Sequence, residues 1–245
     1  MTSKDELVPV LKRLKLSGVL HTLQLRVGQA VDDGLDHHEF LYRVLYDELE
    51  RRDVKRLKVR LDRANFEAGK TLEDFDFLFN VRIPKGKVID LAACHFVERH
   101  ESVMLVGPTG VGKSHLAQAI GHRAVRRGHD VLFVTANQLF AQLRAGRGDG
   151  TYDRRLSRLA NIELLIVDDL GLRALRGEEP EDLHELVRQR YERGSWVLTS
   201  NRAMTEWPGL FGDPLLASAA LDRLMQNAHV IEIEGDSYRA QRRSR

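Results

Sequence analysis

Residues 103–106, Val-Met-Leu-Val, run without a break into Gly107–His115, GPTGVGKSH, and then into LAQAIGHRAV. An apolar strand, a glycine-rich turn of the form G-x-x-x-x-G-K-S and a helix, in that order, admit few architectures. Such a loop works only where a buried strand feeds directly into a helix N-terminus. Gly107, Gly110 and Gly112 let the backbone fold close around an anion with its N–H groups pointing inward, and the helix N-terminus adds a partial positive charge. The expected nucleotide cradle is therefore Gly107, Pro108, Thr109, Gly110, Val111, Gly112, Lys113, Ser114 and His115. Within it, Lys113 is expected to reach the β- and γ-phosphates, and the Ser114 hydroxyl to ligate Mg²⁺.

The surrounding pattern fits that loop. From about residue 86 the periodicity predicts helix 86–99, strand 103–106, helix 113–127, strand 131–134 and helices 137–145 and 152–160. Strand 163–167, helix 180–193, strand 195–199, helix 214–227 and strand 229–233 follow. Short apolar strands alternating with helices predict an α/β fold, a five-stranded parallel sheet in a three-layer α-β-α arrangement.

The strand in LLIVDDLG, residues 164–171, ends on two adjacent carboxylates, Asp168 and Asp169. Like charges repel and desolvating either one is costly, so the pair needs a reason. A Mg²⁺–triphosphate supplies one. Asp168 is expected to hold Mg²⁺, through its waters, and Asp169 to polarise the attacking water. The strand SWVLTSN ends in Thr199-Ser200-Asn201, and Asn201 is the residue favoured to hydrogen-bond the γ-phosphate or the water. No N-K-x-D guanine-reading sequence is present, which favours ATP over GTP.

The first 65 or so residues read differently. Leu7, Val10, Leu11, Leu14, Val19, Leu20, Leu23, Leu25 and Val27 fall close to helical spacing, with a break expected at Ser17-Gly18. His38 to Asn65 reads as one long charged helix, and Gly69 to Pro84 as a connector carrying Phe75, Phe77 and Phe79. The expected organisation is a helical domain over 1–67, a linker over 68–85 and an ATPase domain over 86–245. Positive and negative charges nearly balance at a net +2, so any nucleic-acid surface must be local. Two places qualify: residues 51–63, RRDVKRLKVRLDR, with seven basic and two acidic residues, and the tail YRAQRRSR. No stretch of about 18 apolar residues exists, so no membrane span is expected, and the N-terminus has no signal-peptide core. One cysteine, Cys94, excludes an internal disulfide and a thiolate zinc cluster. It is expected to be a small core residue in a reducing, cytoplasmic protein.

The stretches KTLEDFDF, GVGKSHLAQAIGHRAVRRG, LLIVDDLG, VLTSNRAMTEW, FGDPLLASAALDRL and GDSYR together resemble the IstB-like transposition helper proteins. These form a branch of the AAA+ ATPases near the DnaC-type helicase loaders. The resemblance covers essentially the whole chain, and the combination of GKSHLA, DDLG, TSNR and GDSYR is narrower than the phosphate loop alone. It implies an AAA+ domain that uses ATP and Mg²⁺. Double-stranded DNA, an integrase-type transposase and further copies of the chain arranged head to tail are the implied partners. A helicase loader, or a nucleotide-gated clamp with negligible turnover, are the alternatives. By motif, Arg223 of LDRL matches an arginine finger acting on a neighbour's nucleotide, and Asn201 matches the sensor residue at the end of the fourth strand. Arg239 of GDSYR is a substitute for a second sensor arginine, and the segment from Val81 to Pro84 flanks the base. The second carboxylate is Asp rather than the family-typical Glu, which implies slow hydrolysis. DNA contacts are expected from Arg51, Arg52, Lys55, Arg56 and Lys58 on the N-terminal helices. In the ATPase domain they are expected from Arg144 and Arg147, with Arg154, Arg155 and Arg158 beside them.

Overall fold

The computed structural model describes residues 4–80 and 82–238. The chain divides into two compact units, residues 1–59 and 60–245, and the division falls inside one continuous helix.

The first unit is helical: α1 (Lys4–Arg13), α2 (Ser17–Asp32) and most of α3 (His37–Ala64). Leu11, Val19 and Val44 form its small core, with Leu16, Leu20, Leu23 and Phe40 packed against them. The break between α1 and α2 comes at Lys15, with φ 56°, slightly before the expected Ser17-Gly18. Gly18 instead lies in the first turn of α2, and its role is close approach: a Cβ there would stand 2.7 Å from the Cα of Glu48. The buried Glu48 carboxylate accepts from the Gly18 N–H and, 2.7 Å away, from the Arg52 guanidinium. The adjacent Asp47 is gripped by Arg26 with two bonds of 2.8 and 2.6 Å, which hold its carboxyl down at about 2. With a core this small, the Gly18–Glu48 hydrogen bond and the Arg26–Asp47 pair specify how α2 meets α3.

In the second unit come α4 (Lys85–Ala92), α5 (His95–Glu98), β1 (Ser102–Val106), α6 (Lys113–Arg126), β2 (Val131–Thr135) and α7 (Ala136–Asp149). Then follow α8 (Tyr152–Ala160), β3 (Leu164–Asp168), α9 (Glu179–Arg190) and β4 (Ser195–Ser200). A 3-10 turn (Met204–Glu206), α10 (Pro208–Phe211), α11 (Pro214–Met225) and β5 (Ala228–Glu232) complete it. The single helix expected over 86–99 is two helices, because Cys94 takes the left-handed conformation at φ 61°. Cys94 is fully buried, as expected, and burial pushes its thiol up to about 11. The short α10 and the turn before it had no periodic signal.

Among the described residues all five strands are parallel, in the order β2-β3-β4-β1-β5. Every residue of β1, β3 and β4 is buried, which explains their uninterrupted apolar runs. Leu165 and Val167 face the core built by α7 to α11. Ile166 faces the other way, toward α6, where Gly121 has no Cβ to collide with it. Helices therefore cover both faces.

Two polar features brace this unit. Arg190, fully buried, donates to the carbonyls of Leu159, Ile162 and Ser195 at 2.6 to 2.7 Å, tying the α8–β3 turn to the start of β4. Residues 65–80 also pack along α6. The Glu67 N–H donates to Gln118 at 2.7 Å, Phe66 meets His122 at 4.3 Å, and Glu73 pairs with Arg123 at 2.8 Å.

Candidate active site

The C-terminal ends of β1, β3 and β4 lie side by side, and β4 is the strand in the middle. Beyond β1 the loop turns on Gly107, Gly110 and Gly112, at φ 148°, 89° and 103°. Here the freedom of glycine is needed twice over. A Cβ at Gly107 would collide with the Ile233 carbonyl, and one at Gly112 would stand 2.9 Å from the Phe75 ring. The conformation is open to glycine and strained for other residues.

Lys113 opens α6 and is buried to 5% exposure. Its ammonium donates to the carbonyls of Gly107 and Pro108, both at 2.7 Å. The loop thus curls around its own lysine, holding a cation at the concave side of a glycine-rich turn. That donor set, with the N-terminus of a helix of 14 residues behind it, fits a polyphosphate. Ser114 and His115 occupy the first turn. His115 packs edge-on against Phe75, and its Nε2 lies 2.7 Å from the Thr71 carbonyl. A carbonyl can only accept, so Nε2 carries the proton. Burial lowers the imidazole's pKa, which favours the neutral ring. His115 fastens the connector to the loop helix.

Past β3 the two aspartates differ. Asp168 is buried at 5% exposure, and its Oδ1 accepts from the Thr199 hydroxyl at 2.5 Å. Asp169 is exposed, with a left-handed backbone at φ 58°. Its N–H donates to the same Thr199 hydroxyl at 2.9 Å. A left-handed aspartate is uncommon and costs free energy, and it turns the chain sharply at the sheet edge. Asn201 follows directly on β4 and is exposed. The neighbouring Ser200 carbonyl accepts from the Gly107 N–H at 3.1 Å. The structure therefore brings the loop, Asp168, Asp169 and Asn201 to one edge. Their junction is Thr199-Ser200, two residues whose role the sequence reading passed over in favour of Asn201. The signal was present: a hydroxyl in a fully buried strand needs a hydrogen-bond partner.

A second wall was also missed. After β5 the chain returns across the loop: the Ile233 N–H donates to Val106 at 2.8 Å and the Tyr238 N–H to Gly110 at 3.1 Å. Tyr238 meets Phe79 edge-on at 4.7 Å, and Asn80 donates to the Glu234 carbonyl at 2.7 Å. Arg239 and Val81 lie outside the described residues.

Arg223 is elsewhere. It sits near the end of α11, donates to the Ala219 carbonyl at 2.7 Å, and lines a pocket with His100, Ser102 and Trp196. Ser102 and Trp196 stand at the N-terminal ends of β1 and β4, so Arg223 is at the opposite edge from its own phosphate loop.

The basic residues divide into occupied and exposed sets. Arg147 pairs with the buried Asp182 through two nitrogens and stacks on Tyr152 at 4.2 Å. Arg144 pairs with the buried Glu179 at 3.0 Å, although two-thirds of its side chain is exposed. Arg155 pairs with Asp149 at 2.7 Å. Arg154 and Arg158 are exposed one turn apart on α8. On α3, Arg51, Arg52, Lys55, Arg56 and Lys58 are exposed, Arg52 with Glu48 and Arg56 with Asp53 as partners.

A glycine-rich loop feeding a helix, an acidic pair at the end of a nearby parallel strand, and this strand order define a P-loop nucleotide-binding protein of the AAA+ class. The fold agrees with solved AAA+ relatives. The DnaI structure superposes with a TM-score of 0.58 at 25% identity, covering 67% of this chain and 90% of that one. The DnaC helicase loader gives 0.53 at 21%, covering 60% and 86%. The chain belongs to the IstB-like ATP binding protein family, whose sequence model matches residues 9–245. A protein named as ATP-binding in an insertion sequence of Mycobacterium tuberculosis is 42% identical over 234 residues, 95% of this chain and 93% of the relative. The insertion sequence IS21 ATP-binding protein of Pseudomonas aeruginosa is 39% identical over 234 residues, 96% and 88%. Among the described residues no helix is long and apolar enough to cross a membrane.

Proposed function

We propose that this chain is a cytoplasmic ATPase that assembles head to tail on duplex DNA and recruits or stimulates an integrase-type transposase. The observation that carries the reading is the shared edge, where Ser200 touches the phosphate loop and Thr199 touches the acidic pair. Gly107 to His115 bind the polyphosphate. Lys113 exchanges its two loop carbonyls for phosphate oxygens. Ser114 and Asp168 are the residues that would hold Mg²⁺, which when bound neutralises charge on the β- and γ-phosphates. Asp169 orients the attacking water, and Asn201 hydrogen-bonds the water or the γ-phosphate. Shortening the base by one carbon relative to Glu makes turnover slow.

Arg223 cannot serve its own loop from the far edge of the sheet, and this supports its acting on the next subunit's nucleotide. Such a heterologous contact builds rings or filaments. DNA is held mainly through phosphates, so binding falls with salt. Exposed Arg154 and Arg158, and the α3 residues Arg51, Arg52, Lys55, Arg56 and Lys58, are the proposed contacts, with Arg144 at the margin. Arg147 is left to its structural pair. The insertion-sequence relatives favour a transposase as client over a helicase.

The test is ATP hydrolysis with no DNA, with duplex and with single strands, beside Lys113→Ala. Turnover raised by duplex DNA and abolished by the variant is the expected result. Stimulation by single strands alone would replace this reading with a helicase loader. ATP binding without turnover under every condition would leave a nucleotide-gated clamp.

A further inference from the structure

We infer that Thr199 is a positioning residue that sets both aspartates at once. Its hydroxyl fixes the carboxylate of Asp168 and holds the backbone of Asp169 in its left-handed turn. The inference deepens the ATPase reading and rests on it for the purpose of that geometry, but the geometry itself can be tested in the free chain.

Thr199 lies on β4 with no exposed surface. A hydroxyl has one proton to give and two lone pairs. The Asp169 N–H can only donate, so Oγ1 accepts from it at 2.9 Å. The hydroxyl proton then goes to Asp168 Oδ1, at 2.5 Å. The Thr199 carbonyl adds a third bond, from the Leu170 N–H at 2.9 Å. Three consecutive residues, Asp168, Asp169 and Leu170, are thus bound to a single residue of the neighbouring strand.

The order of these bonds has consequences. β3 and β4 pair in register up to Val167 and Leu198, and the next step places Asp168 beside Thr199. The N–H of Asp169 leaves the ladder and turns back to the hydroxyl, at the cost of a positive φ of 58°. With Asp168 Oδ1 engaged by the Thr199 hydroxyl, Oδ2 is the oxygen that would be left to meet a cation's waters. Valine would fill the same space in a buried strand equally well, so the hydroxyl is there for its hydrogen bonds. Ser200, the next residue, accepts from Gly107. One dipeptide therefore carries the spacing between phosphate loop and acidic pair.

The test compares Thr199→Val, which keeps shape and loses both bonds, with Thr199→Ser, which keeps the hydroxyl. Amide hydrogen exchange in the nucleotide-free chain is read first. The Asp169 amide should exchange about tenfold faster or more in Thr199→Val, and near the wild-type rate in Thr199→Ser. The Mg²⁺ concentration for half-maximal binding of a fluorescent ATP analogue should rise several-fold in Thr199→Val and recover in Thr199→Ser. Unchanged exchange in Thr199→Val, an unmoved Mg²⁺ requirement, or a serine variant that behaves like valine would overturn the inference. A wild type that binds ATP without turnover would sink the hydrolysis reading alone, because neither readout needs hydrolysis.

Discussion

Asp169 makes a conflict between stability and activity measurable. Its backbone sits at φ 58°, where a Cβ crowds the following carbonyl. Truncating the side chain in two ways separates backbone from carboxylate. Asp169→Ala and Asp169→Gly lose the same functional group, so whatever the carboxylate touches cancels between them. For alanine the left-handed conformation costs about 1–2 kcal/mol, while glycine adopts it freely and loses about 0.5–1 kcal/mol more chain entropy on folding. Asp169→Gly should therefore be the more stable by about 0.5–1 kcal/mol, or about 1–4 °C in Tm for a unit of this size. Neither variant should hydrolyse ATP, and both should bind it. Asp169→Asn, which tolerates the left-handed region, should stay near wild-type stability and also be inactive. Urea unfolding, thermal melts and a phosphate-release assay read all three variants. If alanine proves as stable as glycine, the strain is not there and Asp169 is not held in the conformation described.

Four further outcomes follow from the contacts described. Gly107→Ala should abolish binding of a fluorescent ATP analogue, because the new methyl meets the Ile233 carbonyl and pushes the returning chain off the loop. Arg147→Ala should destabilise the ATPase unit by about 2 kcal/mol by taking the charged partner from the buried Asp182, which then keeps only the Tyr152 hydroxyl, with little effect on the DNA affinity of what remains folded. Arg154→Ala with Arg158→Ala should reduce both DNA affinity and its salt slope and leave the melting temperature unchanged; the opposite pattern would reverse the assignment of these arginines. Acid should loosen the N-terminal helices through Asp47. Its carboxyl is lowered from 3.8 to about 2 by Arg26, so its contribution is present above pH 4 and is lost as pH falls from there toward 2. Asp47→Asn should remove that part of the pH dependence in a melt followed between pH 2 and 6.

The sheet was readable because buried parallel strands leave nothing to alternate. VMLV, LLIV and WVL stand out as solid apolar runs, and the expected strands ended within a residue or two of the observed ones. The phosphate loop was readable because its chemistry is local, with glycines and lysine adjacent in the chain. Features that depend on tertiary contact were not. The break at Cys94 has no glycine to mark it. Gly18 looked like a helix breaker and proved to be a place where α3 comes close. Arg147 looked like a free cation, because nothing in LRAGRGDG discloses a buried aspartate 35 residues further on. Residues 68–85 had the composition of a linker, yet Phe75 and Thr71 are fastened to the loop helix. Thr199 lay inside the quoted motif but was invisible as a partner of Asp168, since parallel register cannot be read from one strand alone.

The returning chain after β5 has a practical meaning. Tyr238 is one backbone hydrogen bond from Gly110, and Ile233 one from Val106. Tyr238 is in effect attached to the nucleotide cradle. A bulky group placed on Tyr238 would interfere with the quantity being assayed. For the same reason a small fluorophore in place of Tyr238 would report loop opening directly.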